Sequence, residues 1–149
     1  MDSRIDTYKH KADVSAEMSK VICELVERSN QHDNSKLESP EVEIFDEFSP
    51  KLKELKYGSD EYNECRTHMK VALDHHYANN PHHPEFHKDG IKDMTLIDMI
   101  EMLCDWIAAS KRTKGGNIIQ SIEDGQKRFG YPDDLKEILK NTARHLVQN

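Results

Sequence analysis

The sequence predicts an all-α protein, a single bundle of five to seven helices. Apolar residues recur at steps of three and four through most of the chain. No segment alternates polar and apolar residues at the two-residue period of a strand. The breaks between periodic runs carry Pro, Gly, Asn, Asp and Ser in cap and turn positions.

The first helix is expected from Asp6 to Ser29, where His10, Val14, Met18, Val21 and Leu25 form one face directed toward the core. Asn30 to Leu37 is a polar break. Ser39 as N-cap, with Pro40 at the first helical position, starts a short helix carrying Ile44, Phe45 and Phe48. Pro50 ends that helix or begins the next turn. Ser59 caps a third helix from Asp60 to about His76. The stretch from Asn79 to Pro84 contains two prolines and cannot be regular helix. It begins a loop that runs to Asp93. Thr95 and Asp98 form a capping box with Asp in place of the usual Glu. Ile97, Ile100, Leu103, Cys104 and Ile107 then build the most apolar helix of the chain, closed by Gly115-Gly116. A shorter helix covers Ile118 to Phe129. Gly130-Tyr131-Pro132 is a turn, and Pro132 opens a last helix with Leu135, Ile138, Leu139 and Leu146.

The length of 149 residues fits one domain, residues 1–149, with a core that needs no staples. A net charge of −7 argues against extended nucleic-acid binding driven by phosphate neutralisation. It leaves room for a small anionic substrate, because a bound divalent ion reverses the local field. Cys23, Cys65 and Cys104 form no CxxC pair. Cys23 and Cys104 lie inside apolar patterns and are expected to be buried thiols of a reducing compartment. The N-terminal run lacks an apolar signal region, and no stretch has the length of a membrane span. The expectation is a cytoplasmic protein.

Nine histidines are present, and His68, His75, His76, His82, His83 and His87 fall close together. The adjacent pair His32-Asp33 sits at the break after the first helix and offers an imidazole nitrogen and a carboxylate oxygen, both good ligands for a divalent first-row metal. His10 lies on the apolar face of the preceding helix. Asp105 lies in the run Met102-Leu103-Cys104-Asp105-Trp106, where a carboxylate is costly to bury unless paired or metal-bound. Gathering His10, His32, Asp33 and Asp105 around one metal accounts for two otherwise expensive polar positions. Blander readings stand beside this one. His10 can be a hydrogen-bonded core histidine, Asp33 or Asn34 a helix cap, and Asp105 a partner of Lys111. Glu101 faces solvent or orients a ligating histidine. His87 reads as an ordinary loop residue. His68 and His75 share a helix face in the predicted third helix.

The order His10, then His32-Asp33, then Asp105 resembles the HD-domain superfamily of metal-dependent phosphohydrolases. The dyad followed by Ser35-Lys36 is similar to that family's HD-x-[GS]-K run. The stretch from His75 to Pro84, together with Glu101-Met102-x-x-Asp105-Trp106, resembles a bacterial and phage branch of it. The resemblance covers residues 8 to 110. It implies an HD-like helical domain that binds one or two divalent ions (Mn, Fe, Co, Ni, Zn or Mg), with His10, His32, Asp33 and Asp105 as ligands and His75, His76, His82 and His83 as candidates for a second site. It implies hydrolysis of a small phosphoester, a nucleotide before others, with Lys36 as an electrophilic contact to phosphate. Two alternatives are a di-iron oxygenase on the same fold and a nucleotide-binding module without turnover.

Overall fold

Between Ser3 and Gln31 the chain carries neither Gly nor Pro. In the computed structural model it forms one uninterrupted helix of 29 residues, α1 (Ser3–Gln31). Asp6 in its first turn and Arg28 in its last complement the helix dipole. The structure describes residues 3–55, 59–112 and 115–148. The chain separates into two compact units, Met1–His32 and Asp33–Asn149. The first unit is α1 alone. A lone helix has nothing within its unit to bury against, so the apolar face predicted for a core contains no buried residue, and Val14, Met18 and Val21 are exposed.

The second unit contains six more helices among the described residues: α2 (Glu41–Glu54), α3 (Asp60–His68), α4 (Lys70–Asn79), α5 (Leu96–Arg112), α6 (Ile118–Phe129) and α7 (Asp133–Gln148). Short 3₁₀ turns occupy Asn34–Leu37, Pro84–Phe86 and Gly90–Asp93. No strand occurs among the described residues, and the all-α prediction holds. No helix there is long and apolar enough to cross a membrane.

Several element boundaries differ from the sequence reading. α2 begins at Glu41 with Pro40 in the cap position and no side-chain cap. The Glu38 carbonyl instead accepts from the N–H groups of Glu41 and Val42, both at 3.0 Å. The helix also runs through Pro50. Proline removes one hydrogen bond, and α2 is held by packing on α3 and α4. The predicted third helix is two. It is interrupted at Met69, which is buried, while the Met69 N–H still bonds the Cys65 carbonyl and the Leu73 N–H bonds that of Met69. His68 therefore ends α3, stacks on Phe48 at 5.5 Å between ring centres, and is separated from the helix that carries His75. Cys65 is the buried thiol, whereas Cys23 and Cys104 are exposed. α5 is apolar on more than one side, so its pattern alone did not single out the buried stripe of Met102, Leu103 and Ile107.

The caps of the C-terminal half follow the sequence. The Thr95 N–H donates to Asp98 Oδ2 at 2.8 Å and the Asp98 N–H returns to Thr95 Oγ1 at 3.2 Å, a reciprocal capping box. Asn117 caps α6 through its side-chain oxygen, and Gly130 closes that helix at φ 68°, a conformation glycine adopts without a steric penalty. α5, α6 and α7 enclose the core of Ile91, Met94, Met102, Leu103, Ile107, Ile122, Tyr131, Leu139 and Ala143. Burial pushes the Tyr131 phenol up to about 12, and its hydroxyl donates to the Ile122 carbonyl. Lys140, buried on α7, reaches Glu123 on α6 at 2.9 Å.

Gly125 sets how closely α6 approaches α5. A Cβ at this position would lie 2.5 Å from Trp106 Cη2 and 3.0 Å from Tyr131 Oη. The indole is rigid, so the added methyl has to displace a helix. Gly125→Ala should destabilise the protein by about 1–3 kcal/mol, read as a lower midpoint in urea unfolding. An unchanged midpoint would show that Trp106 has room to move.

Candidate metal centre

The centre is assembled from one turn, one helix end and one loop of the second unit. Asp33 opens the 3₁₀ turn Asn34–Leu37 with φ 59° and ψ 15°, a left-handed conformation that a non-glycine residue rarely adopts. Its side chain does not cap the turn. The carboxylate is committed elsewhere: Oδ2 accepts from Lys36 Nζ at 2.6 Å, and Oδ1 lies 3.4 Å from His76 Nε2 and 3.6 Å from His82 Nε2. Sparse backbone geometry of this kind is characteristic of functional sites.

His76 is buried near the end of α4. Asn80 stops that helix in extended geometry, as a residue before Pro81 should. The chain then turns back, with the His83 N–H bonded to the Asn80 carbonyl at 3.0 Å. His87 Nε2 bonds the Pro81 carbonyl at 2.8 Å and ties the loop down. Adjacent residues on a helix diverge, but this loop is not helical. Its turn brings the rings of both His82 and His83 against His76, at 6.2 and 4.8 Å between ring centres.

Two carboxylates lie behind the rings, and Glu41 is the one hydrogen-bonded to them. Glu41, with no exposed surface, lies at the start of α2 between two neighbouring histidines of α4. Its Oε1 is 2.7 Å from His75 Nδ1 and its Oε2 is 2.9 Å from His76 Nδ1. Asn80 Nδ2 is also near His76 Nδ1, but its two hydrogens are used on Ser35 Oγ and the His76 carbonyl. The Nδ1 proton of His76 therefore goes to Glu41, and the Nε2 lone pair faces Asp33 and His83. On the other side Glu101 Oε1 lies 3.2 Å from His82 Nδ1, with the Glu101 side chain only 10 % exposed. Of the two readings offered for Glu101, the solvent-facing one does not fit, because its carboxylate lies at ion-pair distance from His82. A carboxylate behind an imidazole fixes its tautomer and raises its basicity toward a metal.

Asp33, His76, His82 and His83 each offer an atom within 4.8 Å of the others, a group that could hold a metal ion. A metal about 2.1 Å from each donor would set donor separations of roughly 3.0–3.4 Å. Of the separations here, 3.4 Å from Asp33 Oδ1 to His76 Nε2 lies in that range, while 2.9 Å between His76 Nε2 and His83 Nε2 and 3.6 Å from Asp33 Oδ1 to His82 Nε2 fall on either side of it. Burial, with His82 and His76 alongside, lowers the His83 imidazole to about 3. Burial, with the nearby Lys36 cation, also lowers His76. Both rings are thus neutral at neutral pH, the form in which imidazole ligates.

The ligands expected from sequence divide accordingly. Asp33, His76, His82 and His83 come together. His75, expected beside them, turns outward to Glu41 and is 38 % exposed. Asp105 is half-buried on α5, its carboxylate offers an oxygen within 4.8 Å of one from Asp33, and its charge acts on His83. His10 and His32 belong to the N-terminal unit, His10 exposed and His32 half-buried. Lys36 pairs with the Asp33 carboxylate, as its position three residues on allows. Glu41 is the residue that sequence reasoning missed. It looks like any acidic residue of a first helical turn. The signal for it was the His75-His76 pair, because neighbouring helical rings can share the two oxygens of one carboxylate.

The family described as "Family of unknown function (DUF5662)" matches residues 1–149. No curated protein and no solved structure matches the chain.

Cobalt(II) titrated into the metal-free protein should produce visible d–d absorption. His82→Ala should abolish it and His75→Ala should retain it. Glu41→Gln should weaken cobalt affinity by about 10–100-fold, the usual loss when the partner of a ligating imidazole is removed. Equal binding by His82→Ala and the native protein would place the ion elsewhere.

Proposed function

This chain belongs to the DUF5662 family, and from the geometry of its His–Asp cluster we infer that it is a metal-dependent phosphohydrolase acting on a small phosphoester. The observation that carries this reading is the convergence of Asp33, His76, His82 and His83 with Lys36 in the same turn. Three neutral imidazoles and one carboxylate suit Mn, Fe, Co, Ni or Zn better than Mg, which prefers oxygen ligands. The resemblance of His32-Asp33-x-Ser35-Lys36 to the HD-domain run supports the same chemistry and the same superfamily. It makes Asp105 a further candidate ligand.

A divalent ion held by this group acidifies water and polarises a phosphoryl oxygen. The chain's own residues do the rest. Glu41 holds the His76 imidazole in the tautomer that ligates, and Glu101 stands beside His82. Lys36 is a flexible cation on the cluster's rim, close enough to turn from Asp33 toward an incoming phosphate oxygen. Asp105 and Asp33 keep the surroundings of His83 negative, so an anionic substrate gains its attraction from the ion and Lys36 rather than from the acidic chain as a whole. In the overall reaction the ester P–O bond breaks, water supplies the new oxygen on phosphorus, and the leaving alcohol takes a proton. Nucleotides are the first substrate class to screen, and the expected location is the cytoplasm.

Lys36→Ala should leave metal content intact and reduce phosphate release by roughly a hundredfold, the scale for one charge-stabilising contact. His82→Ala should lose metal and turnover together. Dioxygen consumption with iron, without cleavage of any phosphoester under any divalent metal, would replace the hydrolase by an oxygenase.

A further inference from the structure

A cleft of about 380 Å³ opens directly from the cluster, and His76 and His83 form part of its wall. Its remaining lining is mostly apolar: Val42 and Phe45 from α2, and Met69, Leu73 and Tyr77 from the α3–α4 segment. Phe45 meets His76 edge-on at 6.3 Å between ring centres, and Tyr77 lies 5.0 Å from His83. Each aromatic wall is therefore one ring away from an imidazole of the centre. Lys36, whose Nζ is 6.0 Å from the centre of the Phe45 ring, is the one lysine or arginine among the described residues that lines the cleft. Its charge is already matched by Asp33. Asp46 adds a carboxylate to the lining.

We propose that this cleft receives the body of the substrate, and that the substrate is a phosphomonoester with a compact apolar or aryl body rather than a sugar phosphate or a polyphosphate. The proposal rests on the phosphohydrolase reading and sets aside the nucleotide class that the HD-domain resemblance puts first. A phosphoryl group at the cluster puts the ester substituent against Phe45 and Tyr77, where a flat or branched hydrocarbon gains contact and desolvation. A polyol there would lose hydration, with Asp46 and Ser49 as its main polar partners. A second phosphoryl group would meet Asp46, and among the described residues no lysine or arginine other than Lys36 lines the cleft to balance it.

The test uses the metal-loaded protein and matched probes. Phenyl phosphate is compared with ribose 5-phosphate, and dimethylallyl phosphate with dimethylallyl diphosphate. The expected kcat/KM is at least about tenfold higher for the first of each pair. Phe45→Ala should shrink the phenyl preference mainly through KM, and Asp46→Lys should shrink the monophosphate preference. Methyl NMR of the native protein gives a reading independent of turnover. Phenylphosphonate, which carries no ester to hydrolyse, should shift the Met69 and Leu73 methyl signals, and inorganic phosphate alone should not. Ribose 5-phosphate or the diphosphate cleaved as well as its partner, with unshifted methyl signals, would overturn the proposal and leave the hydrolase standing. Shifted methyl signals with no ester cleaved would keep the cleft's selectivity and remove the hydrolase.

Discussion

A carboxylate with no exposed surface needs partners that satisfy both of its oxygens. Glu41 meets this requirement with His75 on one oxygen and His76 on the other. That contact ties the first turn of α2 to the last turns of α4, the two helices whose packing walls the cleft. It also fixes which nitrogen of His76 carries a proton. The remaining nitrogen is thereby aimed at Asp33 and His83. Without this anchor, His76 would retain its burial and lose the partner that sets its orientation. The centre is built outward from that one buried pair of bonds.

Electrostatics sharpen the arrangement. Neutral rings packed within a few ångströms of one another resist protonation, because each added charge would meet both desolvation and its neighbours. His83 shows this most strongly, with its imidazole lowered to about 3. Negative groups, Asp33 and Asp105 among them, supply the opposing field. A divalent cation would relieve that balance in a way that a proton on one ring cannot, since the donors of the group could share it. The same balance gives Lys36 its place. It neutralises Asp33 from outside the cluster and stands on the wall of the apolar cleft, where the proposed phosphoester would enter.

The second half of the unit does different work. α5, α6 and α7 enclose most of the apolar core, and α5 presents Glu101 and Asp105 from it. They lie on one helix at a spacing of four, so both project from neighbouring turns of the same side. Gly125 lets α6 close on Trp106, next to Asp105 in the chain. Core packing on one side of α5 thus holds rigid the acidic residues on its other side, which is the support a preorganised site requires.

Helix periodicity, the Thr95–Asp98 capping box, the Gly130 cap and the proline-bounded loop are local properties of the backbone, and the sequence alone determined them. The concentration of histidines and the chemical suitability of Asp33 were legible for the same reason, since donor type is written in the side chain. Which histidines converge was decided by tertiary structure. His75 and His76 are indistinguishable by composition, and only the position of Glu41 on a separate helix sends one outward and the other into the centre. The burial expected for the α1 face and for Cys104 was not decided locally either. Periodicity reports which residues share a side, whereas burial depends on what another element brings against it. Pro50 within α2 and the interruption at Met69 follow the same rule, because packing on neighbouring helices outweighs the preference of a single residue.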